Sequence, residues 1–240
     1  MPRTEPPQLP VILVTGFART AKGPADPSGD LLALIAAVPP ASAEVRTQLL
    51  PADMDGALLK AVEAMDRLLP AAVIGLGLAE GQGSLLIERV AINLHDRTSG
   101  ARTSGGKGES IDAAGPAAYF ATLPVDVMAE KVKAGDVPVA LSNSAGTDIC
   151  NSLFYALLHY VAVRGQETWF MRPAPAGLVS RVGFVRVPAA SEPPSRERAR
   201  DGSLTLPLDT MLRGVTLAID AAAEYLAAEA AKVAAVIPAE

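Results

Sequence analysis

The chain has little of the sulfur and imidazole chemistry on which many functional sites depend, with one cysteine and two histidines in 240 residues. A single cysteine, Cys150, cannot form a disulfide within the chain, which fits a reducing cytoplasm. The two histidines, His95 and His159, leave too few ligands for a structural zinc site, and no ligand spacing accompanies them. We therefore expect a cytoplasmic protein, and the sequence contains no metal-binding pattern.

Aromatic residues make up only 4% of the chain, and the formal net charge is −5 with a pI near 5.2. An acidic chain offers no basic field to nucleic acid or anionic lipid, so we expect neither as a partner. Long uncharged apolar runs are also missing, and nothing at the start resembles a signal peptide, so we expect no membrane span. The length fits a single domain, residues 1–240, with a sizeable core.

Strand-like and helix-like segments alternate along the chain. Short apolar runs bounded by turn residues indicate buried strands, whereas apolar positions at helical spacing indicate helices. Pro39 and Pro40 end the first helical stretch, and either Asp53 or Asp55 opens the second. This alternation predicts a layered α/β fold. The predicted strands are 11–14, 45–50, 71–77, 84–94, 137–141, 168–172 and 178–187, and the predicted helices are 30–38 with Ser28 as N-cap, 53–69, 124–134, 148–161 and 208–233.

Three segments lack such patterns. Residues 1–10 carry four prolines, which predicts a loose tail. Residues 95–112 are polar and glycine-rich and residues 191–202 are charged, so we expect both to be exposed loops. The Gly-Gly-Lys-Gly in the first of these loops lacks the spacing and the hydroxyl of a phosphate-binding P-loop.

The stretch from Leu141 to His159, LSNSAGTDICNSLFYALLH, predicts a strand end, a small polar segment and then a helix. Thr147 is the natural N-cap, and Cys150 falls in the first helical turn. Free backbone N–H groups and the positive end of the helix dipole favour a thiolate there, whereas the carboxylate of Asp148 opposes it. The alternative is that a lone cysteine is simply a small buried hydrophobe.

This stretch resembles the nucleophile segment of the type I pyroglutamyl peptidases, also called pyrrolidone-carboxylate peptidases, in which a cysteine follows SN-x-AG-T. The resemblance covers nearly the whole chain and implies one three-layer α/β/α sandwich domain with a twisted, mixed but mostly parallel sheet. It also implies a homo-oligomer, a dimer or a tetramer, that needs no metal and no organic cofactor. Other blocks match in the same order: VTGF (14–17), GLAEGQGSLLIERVAIN (77–93), YFATLP (119–124) and, less completely, GFVRVP (183–188).

The resemblance assigns Cys150 as the nucleophile of a cysteine peptidase and Glu88 as the carboxylate that orients its base. Backbone N–H groups at the helix start are placed to hold the oxyanion that forms during the reaction. The structural alternative for Glu88 is an ordinary ion pair with Arg89 or another cation. The positions carried over as substrate-binding are Phe17, Thr20, Gln82 and Asn143.

The family's histidine is replaced, because its GF-x-H-x-P motif reads GFVRVP here with Arg186 at the histidine position. Arginine stays protonated in proteins, so Arg186 cannot accept the proton of the Cys150 thiol. We expect Arg186 to pair with Glu88 and to be the strongest charge that acts on the thiol. Thr20 and Gln82 also depart from the family pattern, which has a second phenylalanine and an arginine at these places.

Neither remaining histidine is expected to replace the missing base. His159 follows Cys150 by nine residues, which on one helix is about 13 Å along the axis and nearly the opposite face. His95 begins the polar loop and could fold back towards the thiol, but nothing in the sequence requires it.

Three functions therefore stay open for a site that takes a peptide or a small acyl compound. The first is a cysteine exopeptidase that removes N-terminal pyroglutamate from peptides. The second is a non-catalytic homologue that keeps the fold and a binding pocket. The third is a cysteine hydrolase of changed chemistry, acting on a thioester or an activated ester whose leaving group needs no proton.

Overall fold

A computed structural model describes residues 9–19, 26–96, 108–171, 180–191 and 204–236. Side chains are described within these ranges except at 165–171 and at 236. The predicted tail at 1–10 and the predicted loops at 95–112 and 191–202 therefore lie largely outside the described residues. At the described ends of the first loop, His95 and Glu109 exchange backbone hydrogen bonds of 2.8 and 2.9 Å.

Strands and helices alternate along most of the chain. The strands are β1 (Val11–Phe17), β2 (Glu44–Leu50), β3 (Ala72–Leu78), β4 (Leu85–Glu88), β5 (Val90–Ile92), β6 (Ala118–Phe120), β7 (Val139–Ser142), β8 (Arg181–Val187), β9 (Ala189–Ala190) and β10 (Thr205–Leu206). The helices are α1 (Ser28–Ala37), α2 (Met54–Leu68), α3 (Val125–Ala134), α4 (Ile149–Met171) and α5 (Leu208–Val236).

Six of these strands form one sheet in the spatial order β2-β1-β3-β8-β4-β7. Strands β2, β1, β3 and β8 run parallel, whereas β4 and β7 are parallel to each other and β4 is antiparallel to β8. The sheet is therefore mixed and mostly parallel, as predicted. Two small pairs lie outside it, antiparallel β5–β6 and parallel β9–β10.

Helices cover both faces of the large sheet. On one face α1, α3 and α5 pack against strand residues such as Ile12 and Val185. On the other face α2 and α4 pack against the alternate residues, such as Leu13 and Phe184. Strands β1 and β3 are buried on both sides, which explains their continuous apolar sequences. The predicted three-layer α/β/α sandwich is confirmed.

The starts of two helices show how local chemistry fixes an element. Asp53, one of the two predicted candidates, caps α2 by accepting a hydrogen bond from the Gly56 N–H at 2.8 Å. Ser28 was predicted to be the N-cap of the first helix. This prediction is wrong, because α1 begins at Ser28 itself. The Ser28 hydroxyl instead accepts a hydrogen bond from the Phe17 N–H at 2.9 Å, which holds the start of α1 against the end of β1.

Two predicted strands differ from the structure. The strand predicted at 168–172 is wrong where it is described, because α4 continues to Met171 and the established helix overrides local strand propensity. The run at 84–94 is two strands rather than one. The chain leaves the large sheet at Arg89, and β5 pairs with β6 instead.

The helices do not resemble membrane spans. Within the described ranges, none of them combines the length and the apolar character that crossing a bilayer requires.

Candidate active site

Cys150 lies in the first turn of α4 and is only 5% exposed. Its Sγ packs against the backbone of β3, since a Cβ added at Gly77 would lie 2.6 Å from this sulfur. The same added atom would lie 3.3 Å from the Phe184 ring and 3.4 Å from the Phe17 ring. Glycine at position 77 therefore makes room for the thiol between two aromatic side chains.

The helix that carries the thiol is capped by Asp148 and not by the predicted Thr147. The Asp148 carboxylate accepts a hydrogen bond from the Cys150 N–H at 3.1 Å. The backbone carbonyl of Asp148 accepts one from the Ser152 N–H at 3.0 Å. The Thr147 hydroxyl instead donates to the Asp96 carboxylate at 3.0 Å. The N-cap prediction is wrong because Thr147 has a partner from a distant part of the chain, leaving the cap to the next side chain.

Glu88 and Arg186 form a buried ion pair. Arg186 Nε donates to Glu88 Oε1 at 2.7 Å. The Arg186 side chain is 16% exposed and the Glu88 side chain is 0% exposed. Arg186 Nη2 also donates to the Ser144 carbonyl at 2.9 Å, in the segment that leads into α4. Arg186 lies opposite Gly77 in the β3–β8 pairing, so the structure brings the pair and the thiol of Cys150 together.

One oxygen of the buried carboxylate is left over. Glu88 Oε2 has no hydrogen-bond partner among the residues that the structure describes. Such a buried acceptor is uncommon in folded proteins and is available to a ligand or to a different neighbouring side chain.

The pKa of the Cys150 thiol is raised well above its ordinary value. Burial is the largest cause, because the thiolate loses its hydration, and the negative charges of Asp148 and Asp26 follow. Arg186 lowers the pKa of the thiol, but its effect is smaller than that of burial, of Asp148 or of Asp26. Glu88 raises the pKa by a still smaller amount. The expectation that Arg186 is the strongest charge is therefore wrong. At neutral pH Cys150 is a thiol.

Asp26 belongs to the site although the sequence analysis did not identify it. Its carboxylate accepts hydrogen bonds from the Ser28 N–H at 2.8 Å and from the backbone of Leu78, the residue after Gly77. Burial raises the pKa of this carboxyl. Its place at the end of β3 explains why its charge acts on Cys150. In the sequence, Asp26 is only part of an Asp-Pro-Ser-Gly-Asp turn before a helix.

The predicted substrate-binding residues lie in different surroundings. Phe17 is buried, and its ring borders the thiol of Cys150. Gln82 is exposed in the turn after β3, and Asn143 is exposed between β7 and α4. Thr20 lies outside the described residues.

Both histidines contact other partners. His95 Nδ1 lies 2.7 Å from Ser152 Oγ, and because that hydroxyl donates to the Asp148 carbonyl at 2.9 Å, the imidazole is the donor. His159 Nε2 lies 3.4 Å from the Asp112 carboxylate. Across the ranges that the structure covers, no three histidine, cysteine or acidic side chains gather as a metal ion would require.

Asn151 fixes the start of α4 to β5 and was also missed in the sequence. It is fully buried, and its side-chain oxygen accepts a hydrogen bond from the Ile92 N–H at 2.9 Å. Its side-chain nitrogen donates to the carbonyls of Ile92 and Leu94, both at 2.9 Å. These three bonds hold the helix turn that contains Cys150, and no local signal in the sequence links residues so far apart.

The fold and the site together define a three-layer α/β/α protein with its one cysteine at a helix start, beside a buried carboxylate. The model of the pyroglutamyl peptidase family matches residues 11–225, and the chain belongs to this family.

Relatives and solved structures agree with this assignment. The chain is 35% identical over 216 residues to the pyrrolidone-carboxylate peptidase of Cupriavidus taiwanensis. The match covers 88% of this chain and 92% of that protein. The fold is similar to the crystal structure of pyroglutamyl peptidase I from Bacillus amyloliquefaciens, with a TM-score of 0.76 and 27% identity. That match covers 90% of this chain and 96% of the other. For the pyrrolidone carboxyl peptidase from Thermococcus litoralis the TM-score is 0.76 at 25% identity, with coverage of 92% and 96%.

Proposed function

We propose that the chain is a cysteine exopeptidase that removes N-terminal pyroglutamate from peptides, with Cys150 as the acyl acceptor. The observation that carries the proposal is the position of Cys150 at a helix start, against Gly77 and beside the buried Glu88–Arg186 pair. The substrate class is taken from its relatives, which are named pyrrolidone-carboxylate peptidases.

In the proposed reaction, the Cys150 sulfur forms a bond to the pyroglutamyl carbonyl carbon, and the bond from that carbon to the peptide nitrogen breaks. The thiol proton ends on the leaving amine, and water then hydrolyses the thioester to pyroglutamate and the free thiol. The Phe17 ring borders the thiol but is only 2% exposed, so the site must open for the lactam ring to pack against this apolar side chain.

Arg186 limits this reaction because it cannot carry the proton between the thiol and the leaving amine. Its 2.7 Å hydrogen bond also occupies the Glu88 oxygen that would otherwise orient an imidazole. The Cys150 thiol, with its raised pKa, must therefore give its proton to another group. We expect slow turnover of pyroglutamyl amides by the natural sequence.

The same arginine favours a second candidate, a cysteine hydrolase that acts on thioesters or activated esters. An amide nitrogen leaves poorly without an acid, whereas a thiolate or an activated alkoxide leaves without one. If neither amides nor thioesters and activated esters react, the remaining interpretation is a non-catalytic binding protein.

The test replaces Arg186 by histidine and follows release of fluorescent coumarin from a pyroglutamyl coumarin amide. Arg186→His should raise the rate about 10²-fold, the lower end of what general acid–base catalysis contributes. Cys150 and Glu88 stay in place and supply the nucleophile and the orienting carboxylate. Arg186→Gln is the matched control, since it removes the same charge without adding a base, and it should show no gain.

Cys150→Ala in the Arg186→His background must abolish any gain. Ready hydrolysis of the amide by the natural protein would show that Arg186 is compatible with peptidase chemistry. Hydrolysis of a thioester but not of the amide would favour the second candidate. No reaction in folded natural protein and folded Arg186→His would favour a binding protein.

A cytoplasmic location stays a prediction from the single cysteine, and a homo-oligomer, either a dimer or a tetramer, stays a prediction from the family resemblance. Sedimentation equilibrium of the purified protein measures the second of these directly.

A further inference from the structure

The backbone N–H of Cys150 is already bound within the protein. It donates to the Asp148 carboxylate at 3.1 Å, so a negatively charged side chain lies at the start of α4 beside the thiol. The same carboxylate is the charged group that most raises the pKa of Cys150. Asp148 therefore affects both the nucleophile and the backbone group next to it.

This N–H matters because acyl transfer places a negative oxygen beside the attacking atom. Backbone N–H groups at a helix start, including that of the nucleophile itself, are the usual donors to this oxyanion. A carboxylate and an oxyanion are both acceptors with negative charge. They cannot share one N–H, and they repel each other.

We propose that Asp148 gates the proposed reaction: its carboxylate occupies the oxyanion donor of Cys150, and acyl transfer requires this side chain to move away. The inference rests on the proposed function, since it concerns acyl transfer at the same thiol. The Asp148 side chain is exposed, so it can turn into water without disturbing the core. Its backbone carbonyl keeps the bond from the Ser152 N–H, so the helix start persists when the side chain moves.

The chain offers a matched control in Asp53. This residue caps α2 with the same kind of bond, from its carboxylate to the Gly56 N–H at 2.8 Å. Removing the Asp53 side chain measures the loss of a helix cap away from the thiol. Any effect at Asp148 beyond that loss belongs to the site around Cys150.

The experiment measures the affinity of each variant for propionaldehyde, which adds reversibly to cysteine. The sulfur bonds to the carbonyl carbon and the thiol proton moves to the carbonyl oxygen, so no oxidant, base or leaving group is needed. The new hydroxyl oxygen lies beside the sulfur, where it can accept a hydrogen bond from the Cys150 N–H once that group is free, and peptide hydrolysis is not involved. Binding is measured by competition with iodoacetamide, and folding by circular dichroism.

Two substitutions separate the donor from the charge. Asp148→Asn removes the charge, but its amide oxygen still accepts from the Cys150 N–H. Asp148→Ala removes both, and we expect it to bind the aldehyde up to about tenfold more tightly than Asp148→Asn, because the freed N–H gains a hydrogen bond to the oxygen of the adduct. Asp53→Ala should bind the aldehyde as the natural protein does. If Asp148→Ala does not fold, Asp148→Gly takes its place, since glycine is nearly as good a cap.

Equal affinity in the alanine and asparagine variants of Asp148 would overturn the gate and leave only an effect of charge. An affinity unchanged from the natural protein in both variants would overturn it completely. The proposed function fails separately: no hydrolysis of the pyroglutamyl amide by Arg186→His or by Arg186→His with Asp148→Ala, together with tighter aldehyde binding by Asp148→Ala, would reject the peptidase and keep the gate.

Discussion

Glu88 and Arg89 are neighbours in the sequence, yet their ion pairs lie in opposite environments. Glu88 is fully buried and accepts a hydrogen bond from Arg186 at 2.7 Å. Arg89 binds the Asp126 carboxylate at 2.8 Å, with the two side chains 41% and 67% exposed. The distances are alike and the surroundings differ, because successive residues of an extended chain point to opposite sides.

The difference teaches that burial, and not distance, decides what an ion pair does for this protein. In the exposed pair each ion keeps much of its hydration, so losing the partner changes little. In the buried pair Glu88 has lost its water and Arg186 has lost most of its own, so each ion depends on the other. Arg186 therefore has a structural effect as well as a chemical one.

Breaking the buried pair should give the largest effect on stability. Arg186→Met leaves the Glu88 carboxylate buried without its cation, which should lower the free energy of unfolding by about 3–5 kcal/mol. Urea denaturation at neutral pH, followed by circular dichroism, measures this. The double variant Glu88→Gln with Arg186→Met should recover most of the loss. Natural stability in Arg186→Met alone would contradict the argument from burial.

Asp26 sharpens the comparison, because backbone N–H groups hold this half-buried carboxylate and burial raises its pKa. A raised folded-state pKa means that its stabilising contribution is complete below the unfolded value, about 3.9, and is lost as pH rises through the folded value. Asp26→Asn should therefore be more stable than the natural protein at pH 7, because the asparagine side chain carries no charge that loses hydration on folding.

That advantage of Asp26→Asn should shrink as the pH falls from 7 to 4, and urea denaturation at several pH values follows it. A variant that is less stable by the same amount at every pH would mean that the hydrogen bonds of the carboxylate outweigh its burial.

Breaking the exposed pair should give the smallest effect. Arg89→Ala and Asp126→Ala should each change the free energy of unfolding by about 0.2–1 kcal/mol or less, and added salt should reduce the change further. A double-mutant cycle at low and high salt isolates the pair. A coupling as large as that of Glu88 with Arg186 would show that exposure is a poor guide here.

The sequence predicted the layered fold because its signals are local. Continuous apolar runs mark strands buried on both faces, and the spacing of apolar residues marks α2 and α5. The pairing of Glu88 with Arg186 was also predicted, as the structural alternative to a catalytic arginine, and their 2.7 Å hydrogen bond confirms it. What local signals supply is the type of each element and the chemistry of single motifs.

The remaining details depend on contacts between distant parts of the chain. Thr147 looks like a cap until Asp96 takes its hydroxyl, and Asp148 then becomes the cap. Asp26 looks like turn chemistry until the fold puts it at the end of β3. Asn151 looks like an ordinary helix residue until Ile92 of β5 and Leu94 beyond it supply its three hydrogen bonds. No periodicity or propensity carries this information.

The position of β8 in the sheet has a consequence for the order in which the molecule is built. Of the six strands, β8 comes last in the chain, yet it lies between β3 and β4. Until it emerges from the ribosome, the two halves of the sheet, β2-β1-β3 and β4-β7, each present an open edge where β8 will pair, and open edges invite association with other chains. Arg186 arrives on that closing strand, so the edges are covered and the site receives its last residue in the same step of biogenesis.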